Sequence, residues 1–134
     1  MKPHISLVTL GVRDLAKATA FYRALGWQTH GEFDSASFFK LRGAWLSLYP
    51  RGDLARDAEV DNNGEGFRAF TLAHNVASKA EVDAVLLHAQ SVGATIQKAA
   101  READWGGYSG YFADLDGFLW EVAWNPHFDL TKPE

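Results

Sequence analysis

The sequence predicts an α+β fold made of two βαβββ modules. Three observations carry this. A strand-like run, a capped helical stripe ending at glycine and three further extended runs follow one another twice, with equivalent points about sixty residues apart. A polar stretch with glycines and no periodicity, residues 51–66, separates the two copies. At 134 residues the chain is long enough for one domain with a real core and too short for two. The predicted organisation is a single domain over 1–134, with module one at 4–50, a connection at 51–66, module two at 67–125 and a C-terminal tail at 126–134.

The first strand is read from "HISLVTLGV", where Val8, Leu10 and Val12 share one face and Leu7 and Thr9 the other. Asp14 then caps a helix whose apolar positions Leu15, Ala18, Phe21, Tyr22 and Leu25 recur at three and four, with Gly26 as its stop. "WQTHGEF", "ASFFKLRG" and "AWLSLYP" read as an antiparallel meander. In the second module "FRAFTLAHNV" is the strand. Ser78 caps "KAEVDAVLLHAQSVG", with Val82, Val85, Leu86 and Ala89 as its stripe and Gly93 as its stop. "TIQKAARE", "GYSGYFAD" and "FLWEVAW" complete the module. Asp114-Leu115-Asp116-Gly117 between the last two is a turn in which Gly117 takes positive φ and the aspartates bond local backbone.

Hydrophobic residues at 47% and charged residues at 22% are those of an ordinary globular protein. No run approaches the length of a membrane span, and Met1-Lys2-Pro3-His4 leads into the first strand without a signal-peptide core, so a cytoplasmic protein with no membrane partner is expected. The absence of cysteine excludes disulfides, zinc–thiolate sites and cysteine nucleophiles. A net charge of −4 with 13 scattered basic residues argues against nucleic acid as a partner. Aromatic residues reach 13%, more than so small a core absorbs, so some are expected to line a cavity for a small molecule.

"LVTLGVRDLAKATAFYRALGW" near the start and "GYFADLDGFLWEV" near the end resemble the vicinal oxygen chelate superfamily, which includes glyoxalase I, extradiol dioxygenases, and the fosfomycin- and bleomycin-resistance proteins. The resemblance spans residues 4 to 125. It implies paired half-barrels, one per module, enclosing a cavity, and a homodimer. Metal-using members of that superfamily hold a divalent ion through His and Glu on the first and last strands of each module. Carried over, those positions fall on Leu7, Ser47, Ala69 (Arg68 if the register is one off) and Glu121. A lone carboxylate cannot retain a transition metal, so no functional metal and no cofactor are expected. His4, His30, His74, His88 and His127 read as surface or strand-end residues. Leu115 stands where proline is usual and Phe118 where a polar residue is frequent. Ala113 stands where fosfomycin-resistance relatives often carry arginine, which counts against phosphonate chemistry.

Parity on the last strand puts Leu119, Glu121 and Ala123 on one face and Phe118, Trp120, Val122 and Trp124 on the core side. With the implied architecture, Leu7, Thr9, Trp45, Ser47, Tyr49, Ser109, Tyr111 and Glu121 project into the cavity. "DWGGYSGY" reads either as a mobile lid or as a bulge with packed aromatics, with Trp105 and Tyr108 at its rim. Glu121 has three readings: a satisfied buried acid, an anchor for a cationic or hydroxyl group, or a general base. The reading favoured here is a metal-free glyoxalase/bleomycin-resistance-like protein binding a small aromatic molecule. The alternative is an enzyme of glyoxalase or dioxygenase type, either metal-dependent with other ligands or metal-free with Glu121 as catalytic base.

Overall fold

Asp14 and Ser78 begin their helices as the capping pattern requires: their side chains accept from the N–H groups of Lys17 and Glu81. Gly26 and Gly93 end them at φ of 119° and 118°, a region that costs glycine little and L side chains much. The computed structural model describes residues 1–132, which divide into two compact units, Met1–Glu65 and the part from Gly66 onward.

The first unit runs β1 (Leu7–Val12), α1 (Leu15–Ala24), β2 (Thr29–Glu32), β3 (Ser37–Phe39), β4 (Trp45–Pro50) and α2 (Arg51–Asp57). Its sheet has the order β1-β4-β3-β2, with β1 parallel to β4 and the remaining pairs antiparallel. One face, carrying Leu10, Val12, Leu46, Leu48 and Phe39, is buried with Ala18, Phe21 and Tyr22 of α1. Each of the leucine, valine and phenylalanine side chains among these contributes about 1.5–3 kcal/mol by leaving water. Phe39 has no exposed surface, and its ring lies 6.0 Å from that of Tyr22 and 6.1 Å from that of Trp27.

A buried hydroxyl pair crosses the same interface. Thr19 Oγ1 donates to the Leu15 carbonyl at 2.7 Å, so Ser37 Oγ, 2.8 Å away, is the donor to Thr19. Thr19→Val is therefore expected to strand the Ser37 hydroxyl and to cost about 1–3 kcal/mol. Adding Ser37→Ala should recover part of that loss. Denaturant melts of the two single variants and the double variant measure it, and strictly additive losses would refute the coupling.

The stretch 51–66, read from sequence as aperiodic, holds α2. The helix has seven residues and no apolar stripe, which is why periodicity missed it. The signal that was present is local: Pro50 directly precedes it, and Asp53 and Arg56 pair at i, i+3 with 2.8 Å between them. Arg51 ties the following loop down through Asn62 Oδ1 and the carbonyls of Asn63 and Gly64.

The second unit contains β5 (Leu72–Asn75), α3 (Lys79–Ser91), β6 (Thr95–Glu102), β7 (Tyr108–Ala113) and β8 (Leu119–Trp124). The sheet order is β5-β8-β7-β6, with β5 parallel to β8. Val82, Leu86 and Ala89 of α3 are buried on the sheet side that carries Phe112, Trp120 and Val122, with the rings of Phe112 and Trp120 stacked. The β7–β8 turn is built as predicted. Asp114 accepts from the N–H groups of Asp116 and Phe118 at 2.9 and 2.8 Å, and Gly117 has φ of 83°.

β5 is shorter than "FRAFTLAHNV" suggested. The chain at Ala69 takes a left-handed φ of 62°, incompatible with an extended strand, so pairing starts at Leu72. Of the tail read at 126–134, positions 133 and 134 lie outside the described residues. No helix among the described residues is long and apolar enough to cross a membrane. The chain is thus an α+β protein of two βαβββ modules, the first followed by one additional helix.

Candidate functional site

The residues predicted to project together lie on two sheet faces, one in each unit, each opposite the face that α1 or α3 covers. In the first unit the β1–β4 register sets Leu7 beside Trp45, Thr9 beside Ser47 and Gly11 beside Tyr49, and Phe38 of β3 stands opposite Ser47. All five predicted positions of this module therefore share one side. Ser47 is buried at its floor, and Leu7 is 40% exposed at its edge. The Trp45 ring meets His30 edge-on at 4.8 Å, and the Lys40 ammonium lies 5.9 Å from its centroid. An open, mainly apolar groove of about 1140 Å³ borders this face, lined by Leu7, Phe38, Trp45 and the first six residues, His4 among them. At the opposite end α2 closes in on Gly11, where an added Cβ would come within 3.3 Å of Arg51 Cα and Leu54 Cδ2. Leu54, Phe38 and His30 are thus parts of this surface that sequence reasoning did not select.

In the second unit Glu121 faces the same side as Ser109 and Tyr111, because Tyr111 pairs with Glu121 and Ser109 with Ala123 across β7–β8. The Tyr111 hydroxyl donates to Glu121 Oε2 at 3.3 Å. Desolvation first, and then the charge of Glu121 and its hydrogen bond, hold the Tyr111 pKa above its usual value of 10.0. Tyr111 therefore keeps its proton near neutrality and remains the donor. Glu121→Gln removes the charge and should lower the Tyr111 pKa toward, but not to, 10.0, since desolvation stays. An ultraviolet or NMR titration of Tyr111 reads this, and an unchanged midpoint would refute the coupling. Any stability that Tyr111 contributes through its raised pKa is present in full below pH 10 and is lost as pH rises through the folded-state pKa.

Two predicted positions lie elsewhere. Tyr108, read as a rim residue, is the first residue of β7 and pairs with Trp124, so strand alternation turns it to the α3 side. There its hydroxyl donates to Asp83 Oδ1 at 2.8 Å, and that hydrogen bond is the largest cause of its raised pKa. Trp105 sits in the β6–β7 turn with its ring folded over Gly107, where a Cβ would overlap it. The glycines make this turn tight rather than loose. Gly106 has φ of 95°, Ala103 N bonds Gly107 O at 2.9 Å, and His127 Nε2 bonds Trp105 O at 2.9 Å.

A sequence profile of the Glyoxalase/Bleomycin resistance protein/Dioxygenase superfamily matches residues 4–122. The chain belongs to this superfamily. A glyoxalase-related enzyme from Fulvimarina pelagi superposes with a TM-score of 0.87 at 29% identity, over 93% of this chain and 90% of that one. A glyoxalase/bleomycin resistance protein/dioxygenase family enzyme from Burkholderia phytofirmans gives 0.82 at 20% identity, over 90% and 98%. A lactoylglutathione lyase from Agrobacterium tumefaciens gives 0.74 at 24% identity, over 96% and 100%. The last two show likeness of fold alone. Among curated proteins none matches.

Whether the metal of metal-using superfamily members fits this chain depends on its donors. The register corrects two positions: beside Glu121 on β5 stands Ala73, not Ala69, which precedes the strand, and beside Ser47 on β1 stands Thr9, not Leu7. His74 pairs with Val122, so it belongs to the other side of the sheet, and desolvation holds its pKa below 6.5. On these faces the first unit offers the hydroxyls of Thr9, Ser47 and Tyr49 with the imidazoles of His30 and, at the groove, His4, and the second a single carboxylate, Glu121, beside the hydroxyls of Ser109 and Tyr111. Among the described residues no three His, Asp or Glu side chains gather to hold an ion. A divalent transition metal requires three or four nitrogen, sulfur or carboxylate donors, and this set does not fit one.

Proposed function

We propose that the protein is a metal-free member of the glyoxalase and bleomycin-resistance group that binds a small aromatic molecule, with Trp45 as the stacking surface. One observation carries this reading. The first unit sets Trp45, Phe38 and Leu7 along an apolar groove of about 1140 Å³, a size and lining suited to a planar ligand. The donor-poor positions beside Ser47 and Glu121 support the metal-free part.

The test is elemental analysis of protein purified without a metal-chelating column, together with a titration by 4-hydroxybenzamide followed at the Trp45 indole N–H. Less than a tenth of an equivalent of Fe, Mn, Ni or Zn, roughly the level of adventitious binding, is expected, as is a melting temperature unchanged by chelator. A saturable shift of the Trp45 signal should be lost in Trp45→Ala. Stoichiometric metal, or no response at Trp45, would overturn the reading.

A second reading, a metal-free enzyme with Glu121 as general base, is favoured by the Tyr111–Glu121 hydrogen bond, which orients the carboxylate. Loss of turnover in Glu121→Gln with binding intact would select it. We also propose a cytoplasmic homodimer, its subunit number to be read by light scattering.

A further inference from the structure

The register of the second sheet arranges side chains in rows. One row runs Lys98, Tyr111, Glu121, Ala73, and the next Arg101, Ser109, Ala123, Asn75. The two cations owe their places to irregularities in β6. Ile96 stands opposite Phe112, on the α3 side, and regular alternation would put Lys98 on that side too. The register shift between Ile96 and Lys98 brings Lys98 opposite Tyr111 instead, and a second shift brings Arg101 opposite Ser109. Glu102, one residue on, pairs with Tyr108 and forms an ion pair with Lys79 on the α3 side.

Lys98 and Arg101 are exposed, and neither side chain has a hydrogen-bond or ion-pair partner among the described residues. The sequence alone shows this face as one acid among aromatic and apolar groups, an anchor for a cationic or hydroxyl group of a guest. The register instead sets two uncompensated cations on the same side as the Tyr111–Glu121 pair. Ser109 and Ala123 form a low floor between the taller side chains. With strands about 4.8 Å apart, Lys98 and Glu121 are separated by roughly 10 Å at the backbone, a span that one ring with a substituent at each end can bridge.

We propose that this face binds a small organic carboxylate that also carries a hydroxyl group. The carboxylate lies against Lys98 and Arg101, where charge-assisted hydrogen bonds and the guanidinium fork favour it. The hydroxyl donates to Glu121 beside Tyr111. This goes beyond the aromatic-groove reading, because it concerns the other unit and the charge of the guest.

The experiment is a titration of 15N-labelled full-length protein with three matched probes: 4-hydroxybenzoate, the neutral 4-hydroxybenzamide and the cationic 4-hydroxybenzylamine. The expected result is a saturable shift of the Lys98, Tyr111 and Glu121 amides by 4-hydroxybenzoate, with affinity at least tenfold above that for the amide and the amine. That preference should shrink as salt is raised. Lys98→Glu combined with Arg101→Glu should abolish the preference while leaving the dispersion of the spectrum intact, since both side chains are exposed. Glu121→Gln should weaken 4-hydroxybenzoate and 4-hydroxybenzamide alike. Equal affinities for anion and amide, an unaffected double variant, or the absence of shifts on β6–β8 would overturn the proposal. A response to all three probes confined to Trp45 would do so while leaving the groove reading intact. A response on β6–β8 with none at Trp45 would do the reverse.

Discussion

Gly110→Ala is expected to destabilise the protein by about 3 kcal/mol, the upper part of the usual range for overpacking. For a chain of this length that is a fall of roughly 10 °C in melting temperature. Gly110 lies on β7 and is buried on the side that α3 covers. A Cβ there would stand 2.8 Å from Leu86 Cδ1, 2.8 Å from the Lys98 carbonyl oxygen and 2.9 Å from Ala100 N. The leucine could turn away, but the other two atoms are backbone of the irregular stretch of β6. Relief therefore requires β6 to move from β7, and that movement would also displace Lys98 and Arg101. Calorimetry of Gly110→Ala, set beside an exposed control such as Ala84→Gly, measures the effect. A loss under 1 kcal/mol would mean that the strand pair yields far more easily than this packing implies.

Asp114→Ala should cost about 3 kcal/mol as well, for a different reason. The residue is only 6% exposed, and its Oδ1 accepts from two backbone N–H groups, Asp116 at 2.9 Å and Phe118 at 2.8 Å. Hydrogen bonds to a charged acceptor contribute about 1.5–3 kcal/mol each, and removing the acceptor leaves two donors unpaired next to the core residue Phe118. Asp114→Asn keeps an oxygen acceptor without the charge and should cost about half as much. Chemical denaturation distinguishes the three proteins, and an asparagine variant as damaged as the alanine variant would assign the effect to something other than acceptor geometry.

The same turn illustrates why so much of this fold could be read without coordinates. Asp114 and Gly117, the caps Asp14 and Ser78, and the stops Gly26 and Gly93 all act within four residues of their own position. Their consequences are therefore written into short words of sequence. Strand alternation is equally local, and it placed Glu121 opposite Trp120 and Val122 correctly, as the β7–β8 register bears out.

The misreadings share the opposite property. The helix at Arg51–Asp57 has no stripe of its own, and its place follows from Gly11, forty residues earlier in the chain, leaving room for Arg51 and Leu54. β5 begins late because the backbone turns at Ala69, where nothing in the side chain calls for a left-handed residue. Tyr108 is expected at the rim of an entrance because glycines precede it, yet those glycines tighten a hairpin that commits Tyr108 to the α3 side.

What the sequence by itself determined was the order of the elements, the α+β class, the superfamily and the poverty of metal donors, since each depends on residue type and short-range spacing. Only the tertiary structure decided which residues stand beside Glu121. Cross-strand neighbours are set by register, and two shifts in β6, invisible to a period-two pattern, carry Lys98 and Arg101 to the side of the sheet where they meet Tyr111 and Ser109.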